Sequence, residues 1–227
     1  MTVSRYIFDL IDQGEHQQLD FKFEISDSKK IAKTLSSFAN TDGGKLLIGV
    51  KDNGKIKGVR TDEEFHMIEA AAQLYCKPEV AFTSKSWPVN GKSVLEVIIR
   101  EQASIKPVLA RGDDGKWEAY IRVKDENFIA SNIVRRIWQQ EDSKAVFLEY
   151  TEKEKQLLQY IDRHGSISVS QFTRIAYIPR RNAEKILVDL TKLNILDFEV
   201  DEFGTRFGFT DEFDLGAYEI DMNAFQK

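Results

Sequence analysis

Cysteine is almost missing from this chain. Cys76 stands alone among 227 residues, so no internal disulfide framework can form, and a reducing, cytoplasmic compartment is expected. Histidine is nearly as scarce. His16, His66 and His164 have no metal-like spacing, which argues against a zinc site. No apolar run is long enough to span a membrane, and no membrane partner is expected. The opening MTVSRYIFDLIDQ carries Arg5, Asp9 and Asp12 among its apolar residues, so it reads as an amphipathic helix rather than a signal peptide. The pattern G-x-x-x-x-G-K-[ST] does not occur, which excludes a standard P-loop. Positive charge is not in excess either. At a net charge of −5, a nucleic-acid partner would need a local basic face, because such binding draws on cations that release counterions from phosphates.

What is present is an ordinary globular composition, long enough for one large domain or two small ones. The chain is organised around Lys33–Val59. Leu35, Phe38 and Ala39 recur at helical spacing, and Gly43-Gly44 stops that helix. Leu46, Leu47, Ile48 and Val50 read as a strand covered on both faces. Asp52-Asn53-Gly54 turns the chain into a second strand. Upstream, residues 19–25 alternate, with Leu19, Phe21, Phe23 and Ile25 inward and Asp20, Lys22 and Glu24 on a charged outer face. Downstream, Thr61 is placed to cap a helix through about Cys76, with Phe65, Ile68, Ala72 and Leu74 as core contacts. Val80–Trp87 with Ser93–Ile99, and Val108–Arg111 with Trp117–Val123, read as hairpins, and Asn132–Gln140 as a closing helix. Strands interleaved with helices predict an α+β domain over 1–140.

Residues 141–150 read as a linker, and 151–227 follows a different pattern. Helices are expected at Glu152–Arg163, Val169–Ala176 and from Pro179 to about Leu193. The third has Ala183, Ile186, Leu187 and Leu190 inward. Strands Ile195–Val200 and Arg206–Phe209 then face each other across Asp201–Gly204. Three helices and a hairpin resemble a winged helix-turn-helix, followed by an acidic tail.

The first part also resembles a known family. The Asn-Thr-Asp-Gly-Gly turn, the Leu-Leu-Ile-Gly-Val strand and the Lys-Ile-Lys-Gly-Val return are similar to the core of the Schlafen-type AlbA domain. Bacterial members of that family often carry the label ATP-binding or divergent AAA. Glu15 with Leu19-Asp20-Phe21-Lys22 resembles the family's Glu-containing strand, with Asp20 in place of the usual Glu. Lys106-Pro107, Tyr120-Ile121-Arg122-Val123 and Ala130-Ser131 resemble its closing segments. The likeness spans roughly residues 13–135 and implies a mixed-sheet α+β fold.

Four sets of residues could carry chemistry. If their strands are neighbours, Glu15, Asp20 and Asp52 form a carboxylate trio able to hold Mg²⁺ or Mn²⁺, with Lys22 stabilising charge on a phosphodiester. The resemblance implies the same, since eukaryotic Schlafen nucleases use an acidic trio to cut tRNA and rRNA. Solvated strand residues and a turn aspartate account for the same spacing. Asn40, Thr41, Asp42, Gly43, Gly44 and Lys45 make up the turn behind the ATP-binding label, as an anion nest or as a plain helix stop. The negative end of a helix dipole opposes the first of these. Lys22, Lys106, Arg122 and Lys124, with Lys29, Lys30 and Lys33, could form a basic face for a nucleic-acid backbone. Arg174, Arg180, Arg181 and Lys185 cluster at the start of the third C-terminal helix, whereas Asp197, Glu199, Asp201 and Glu202 would repel phosphate. The expected function is a DNA- or RNA-binding regulator, potentially a homodimer. The alternatives are a metal-dependent ribonuclease and an ATP-binding regulator.

Overall fold

From Ile31 onward the helix Ser28–Asn40 is buried at every position except Lys33. A helix covered on all sides belongs inside a core, and this one lies between two sheets. The computed structural model describes residues 3–59, 62–140 and 150–213. Thr61, residues 141–149 of the linker and the acidic tail from residue 214 lie outside the described residues. Two units part between Ala130 and Ser131.

The first unit runs α1 (Val3–Ile11), β1 (Leu19–Lys22), α2 (Ser28–Asn40), β2 (Gly44–Ile48), α3 (Glu63–Leu74), β3 (Cys76–Lys77), β4 (Phe82–Val89) and β5 (Lys92–Ile99). A 3-10 turn (Ala103–Ile105), β6 (Leu109–Arg111), β7 (Trp117–Val123) and β8 (Glu126–Ile129) complete it. One sheet is mixed, in the order β1-β2-β5-β4, with β1 and β2 parallel and the other pairs antiparallel. The second sheet is antiparallel, in the order β3-β6-β7-β8. Helix α1 covers one face of the mixed sheet, where Ile7 and Leu10 meet Leu19, Phe21, Leu47 and Val94. The opposite face packs on α2 and α3 through Leu46, Ile48, Leu95 and Val97. Leu35 and Phe38 are fully buried there, and each such side chain is worth about 1.5–3 kcal/mol of transfer free energy. The family's α+β mixed-sheet architecture is therefore present.

Four local expectations are corrected. Phe23, expected inward, is 43 % exposed because β1 ends at Lys22. The return after Asp52–Gly54 is not a strand: the turn closes with Gly54 N–H donating to Lys51 O, and residues 55–59 make only isolated bridges at Ile56 and Val59. Gly54 has φ +77°, and a Cβ there would lie 2.8 Å from Ile11 Cγ2, so the turn requires glycine. Leu74 is 66 % exposed rather than a core contact, because the buried stripe of α3 runs through Ile68, Ala71 and Ala72 and Leu74 lies off it. The charged face of β1 is not solvated. Asp20 is only 3 % exposed, because that face looks towards α2 and the second sheet.

The second unit begins with α4 (Asn132–Gln140), which packs on α7. It continues with α5 (Glu152–His164), β9 (Ser166–Ser168), α6 (Val169–Ala176), α7 (Arg180–Lys192), β10 (Leu196–Asp201) and β11 (Gly204–Phe209). Thr151 with Glu154 and Ser168 with Gln171 form capping boxes that start α5 and α6. Leu157, Ile161, Phe172, Leu187, Val188 and Phe207 are buried, while Ile186 is half-buried. The expected helices and hairpin are joined by β9, which completes an antiparallel sheet in the order β10-β11-β9.

Candidate functional site

The best-defined polar centre lies where β1, α2, β7 and β8 meet. Arg122, 2 % exposed, points from β7 into the unit. Its Nη2 reaches Asp20 Oδ1 at 3.2 Å, Nη1 donates to Asn127 Oδ1 at 3.2 Å, and the guanidinium lies 5.1 Å from the Phe38 ring centroid. The carbonyls of His16 and Leu19 accept from Nη2 at 3.4 Å. Lys22 Nζ sits 2.8 Å from Asp20 Oδ2, so one buried carboxylate is shared by two cations. Above this pair opens a cleft of about 510 Å³, lined among others by Lys22, Lys30, Lys33, Tyr120, Asp125 and Glu126.

Glu15 joins Asp20 but Asp52 does not. Glu15 Oε1 accepts from the Phe21 N–H at 2.8 Å. The carbonyls of Gln18 and Lys22 bond towards β2, so Phe21, of opposite parity, presents its N–H to the open edge of β1. Glu15 therefore covers that edge. Burial raises its pKa, and neighbouring Asp20 raises it further, against the pull of the Phe21 N–H. Asp52 sits in an exposed turn beyond the C-terminal end of β2, on the other side of β1. Glu15 covers the open edge of β1, whereas Asp52 follows β2, which pairs on the other edge. No three His, Cys, Asp or Glu side chains among the described residues are grouped to hold a metal ion. With Asp20 already held by Arg122 and Lys22, the expected trio does not fit Mg²⁺ or Mn²⁺.

The Asn40–Lys45 turn is turned inward. Asn40 Nδ2 donates to Val108 O at 2.8 Å and Tyr120 O at 2.9 Å, while its Oδ1 accepts from Val108 N–H at 2.8 Å. Thr41 Oγ1 accepts from Arg122 N–H, and Asp42 is held by Gln17 and Gln18. The N–H groups of Thr41, Gly43 and Lys45 all donate to backbone carbonyls, leaving no anion nest. Gly43, at φ +69°, lies so close to Ile99 O that a Cβ would be 2.7 Å away. Gly44 lies against the Phe38 ring, and Lys45 Nζ turns to Tyr6 Oη at 3.0 Å. Closeness of strand and helix explains these glycines without a phosphate.

The basic candidates divide. Lys22, Lys30 and Lys33 share the cleft, and Lys33 also pairs with Asp113 at 3.0 Å. Lys124 is exposed in the β7–β8 turn next to Asp125, whereas Lys106 is bound to Glu101 at 2.7 Å. Arg122 is structural in position, too buried to meet a backbone phosphate. In the second unit Arg174, Arg180, Arg181 and Lys185 are all exposed around the start of α7. Arg180 pairs with Glu184 and Lys185 with Asp189, each at 2.8 Å.

Sequence reasoning missed Glu96. It is buried in β5, takes a hydrogen bond from Tyr6 at 2.5 Å and another from Trp87 Nε1 at 2.8 Å, and stands 3.9 Å from Lys45 Nζ. Burial raises the Tyr6 pKa, and the Glu96 carboxylate adds to it. A single charge inside the apolar run Val94–Ile99 was the available signal.

An α+β domain with a helix enclosed between two sheets, and a lysine-rimmed cleft over a buried Asp–Arg pair, is the class these features define. Residues 15–131 match the family described as Schlafen, AlbA_2, and the chain belongs to that family. Two solved structures are similar to it. One is the crystal structure of the DIP2311 protein from Corynebacterium diphtheriae, at 17 % identity and a TM-score of 0.42; the match covers 85 % of this chain. This chain spans 34 % of that one. The other is the solution structure of the N-terminal domain of a protein from Nitrosomonas europaea, described as related to the ATP-dependent DNA helicase RecG. It shows 20 % identity and a TM-score of 0.40 over 66 % of this chain and 97 % of that domain.

Proposed function

We propose that this protein is a nucleic-acid-binding regulator that contacts backbone phosphates at the lysine-rimmed cleft of its first unit. One observation carries this reading. Lys29, Lys30 and Lys33 occupy the first turns of α2, three cations after the single N-cap carboxylate of Asp27, which accepts from the Lys29 N–H. Cations at a helix N-terminus oppose the macrodipole, at about 0.3–1 kcal/mol each, so helix stability does not explain them. They do add to the dipole in drawing an anion, and Lys30 and Lys33 face the same cleft as Lys22. The order of helices and strands in the second unit supports a winged helix-turn-helix, with α7 as its contact helix.

The test uses the full chain with labelled tRNA and duplex DNA across a salt series, with and without Mg²⁺. Binding that weakens with salt is expected, and Lys30→Glu/Lys33→Glu should flatten the log–log slope by about 1.5–2. Unchanged binding in that variant would sink the proposal. Metal-dependent fragments lost in Glu15→Gln would replace it with a nuclease.

A further inference from the structure

Tyr177 occupies the left-handed region, at φ +51° and ψ +45°, as the C-terminal cap of α6. Of the other three non-glycine residues described with positive φ, two are asparagines, which tolerate it; a bulky aromatic does not. Its ring is 91 % exposed, so no packing offsets the strain. A glycine would satisfy the same cap with less strain. Phe203, 88 % exposed, tops the β10–β11 turn, which is fixed by the Phe203 N–H donating to Asp201 Oδ1 at 2.8 Å.

Both residues connect to the start of α7, one along the chain and one through a shared groove. Tyr177 lies in the turn leading into it, and Phe203 lines a groove of about 600 Å³ together with Arg180, Ser168 and Ser170. Charge around this corner is mixed, because Asp201 and Glu202 share the turn with Phe203 and Glu184 lines the groove. Glu184 is shared by Arg136 and Arg180, while Arg181 is exposed next to Arg180 and Arg174 is exposed near the end of α6. The carboxylates of Asp197, Glu199, Asp211 and Glu212 line a different groove, with Arg206 and Ser166.

We infer that this corner binds single-stranded nucleic acid, stacking unpaired bases on Tyr177 and Phe203 while Arg174, Arg180 and Arg181 meet the backbone. The inference rests on the nucleic-acid reading above and names its substrate class. Stacking needs an open base face, which a paired duplex keeps covered. It also supplies affinity where neighbouring carboxylates offset the cations.

The full chain is titrated by fluorescence anisotropy with a short labelled single strand and with the same strand annealed as a blunt duplex. The single strand should bind more tightly. Tyr177→Gly should weaken single-strand binding about tenfold while the thermal midpoint stays or rises, and Tyr177→Phe should keep the affinity. Adding Phe203→Ala should weaken it further. Equal affinity for duplex, or full affinity in the Tyr177→Gly/Phe203→Ala variant, overturns the inference. If Lys30→Glu/Lys33→Glu still loses binding in that case, the proposed function survives alone. If the wild type binds neither probe in a salt-sensitive way, both fall, and the exposed rings belong to a protein contact.

Discussion

Asp20 and Arg122 hold each other's charge where water does not reach. Removing Arg122 leaves the buried Asp20 with Lys22 alone and takes the donor from Asn127 Oδ1, so Arg122→Met should destabilise the first unit by up to about 3–5 kcal/mol. Asp20→Asn in the same chain should recover much of that, as read from chemical denaturation. Glu15 gives a prediction of opposite sign to an ordinary salt-bridged carboxylate. Its folded pKa is raised, so the folded state binds the extra proton, and its contribution is full below the unfolded carboxylate pKa. That contribution is lost as pH rises through the raised value. Glu15→Gln keeps an acceptor for the Phe21 N–H without the charge. Its thermal midpoint should equal or exceed that of the wild type at neutral pH, with the gap closing below about pH 4. The alternation that separates Leu19 and Phe21 from Asp20 and Lys22 was legible in the sequence. That the charged face is buried was not, because its partner lies 102 residues away.

Among the elements, α2 shows what a local pattern can and cannot reveal. Helical spacing, the glycine stop and the doubly covered β2 all appear as read. The role of Asn40 does not, since its partners Val108 and Tyr120 come from another sheet. Asn40→Ala takes the partner from the Val108 N–H and the Tyr120 carbonyl, while the Val108 carbonyl keeps the Ser36 hydroxyl, and should cost about 2–4 kcal/mol. A lower urea midpoint at unchanged slope would confirm it. The strands β8 and β9 escaped the reading for a simpler reason: at four and three residues they are too short for alternation to register. Tyr177 gave no periodic signal at all, because it belongs to neither helix that it joins.

For the whole molecule, charge is segregated rather than balanced. A net −5 coexists with a lysine-lined cleft in one unit and an arginine-rich corner in the other. Composition therefore lowers the expected affinity without deciding the partner, and salt dependence reports the local patches alone. The enclosure of α2 has a last consequence. Because both sheets of the first unit use this one helix as a wall, neither can open while the other stays closed. Its amides near Leu35 and Phe38 can exchange with deuterium only when the entire unit comes apart, so their protection equals the unit's global stability.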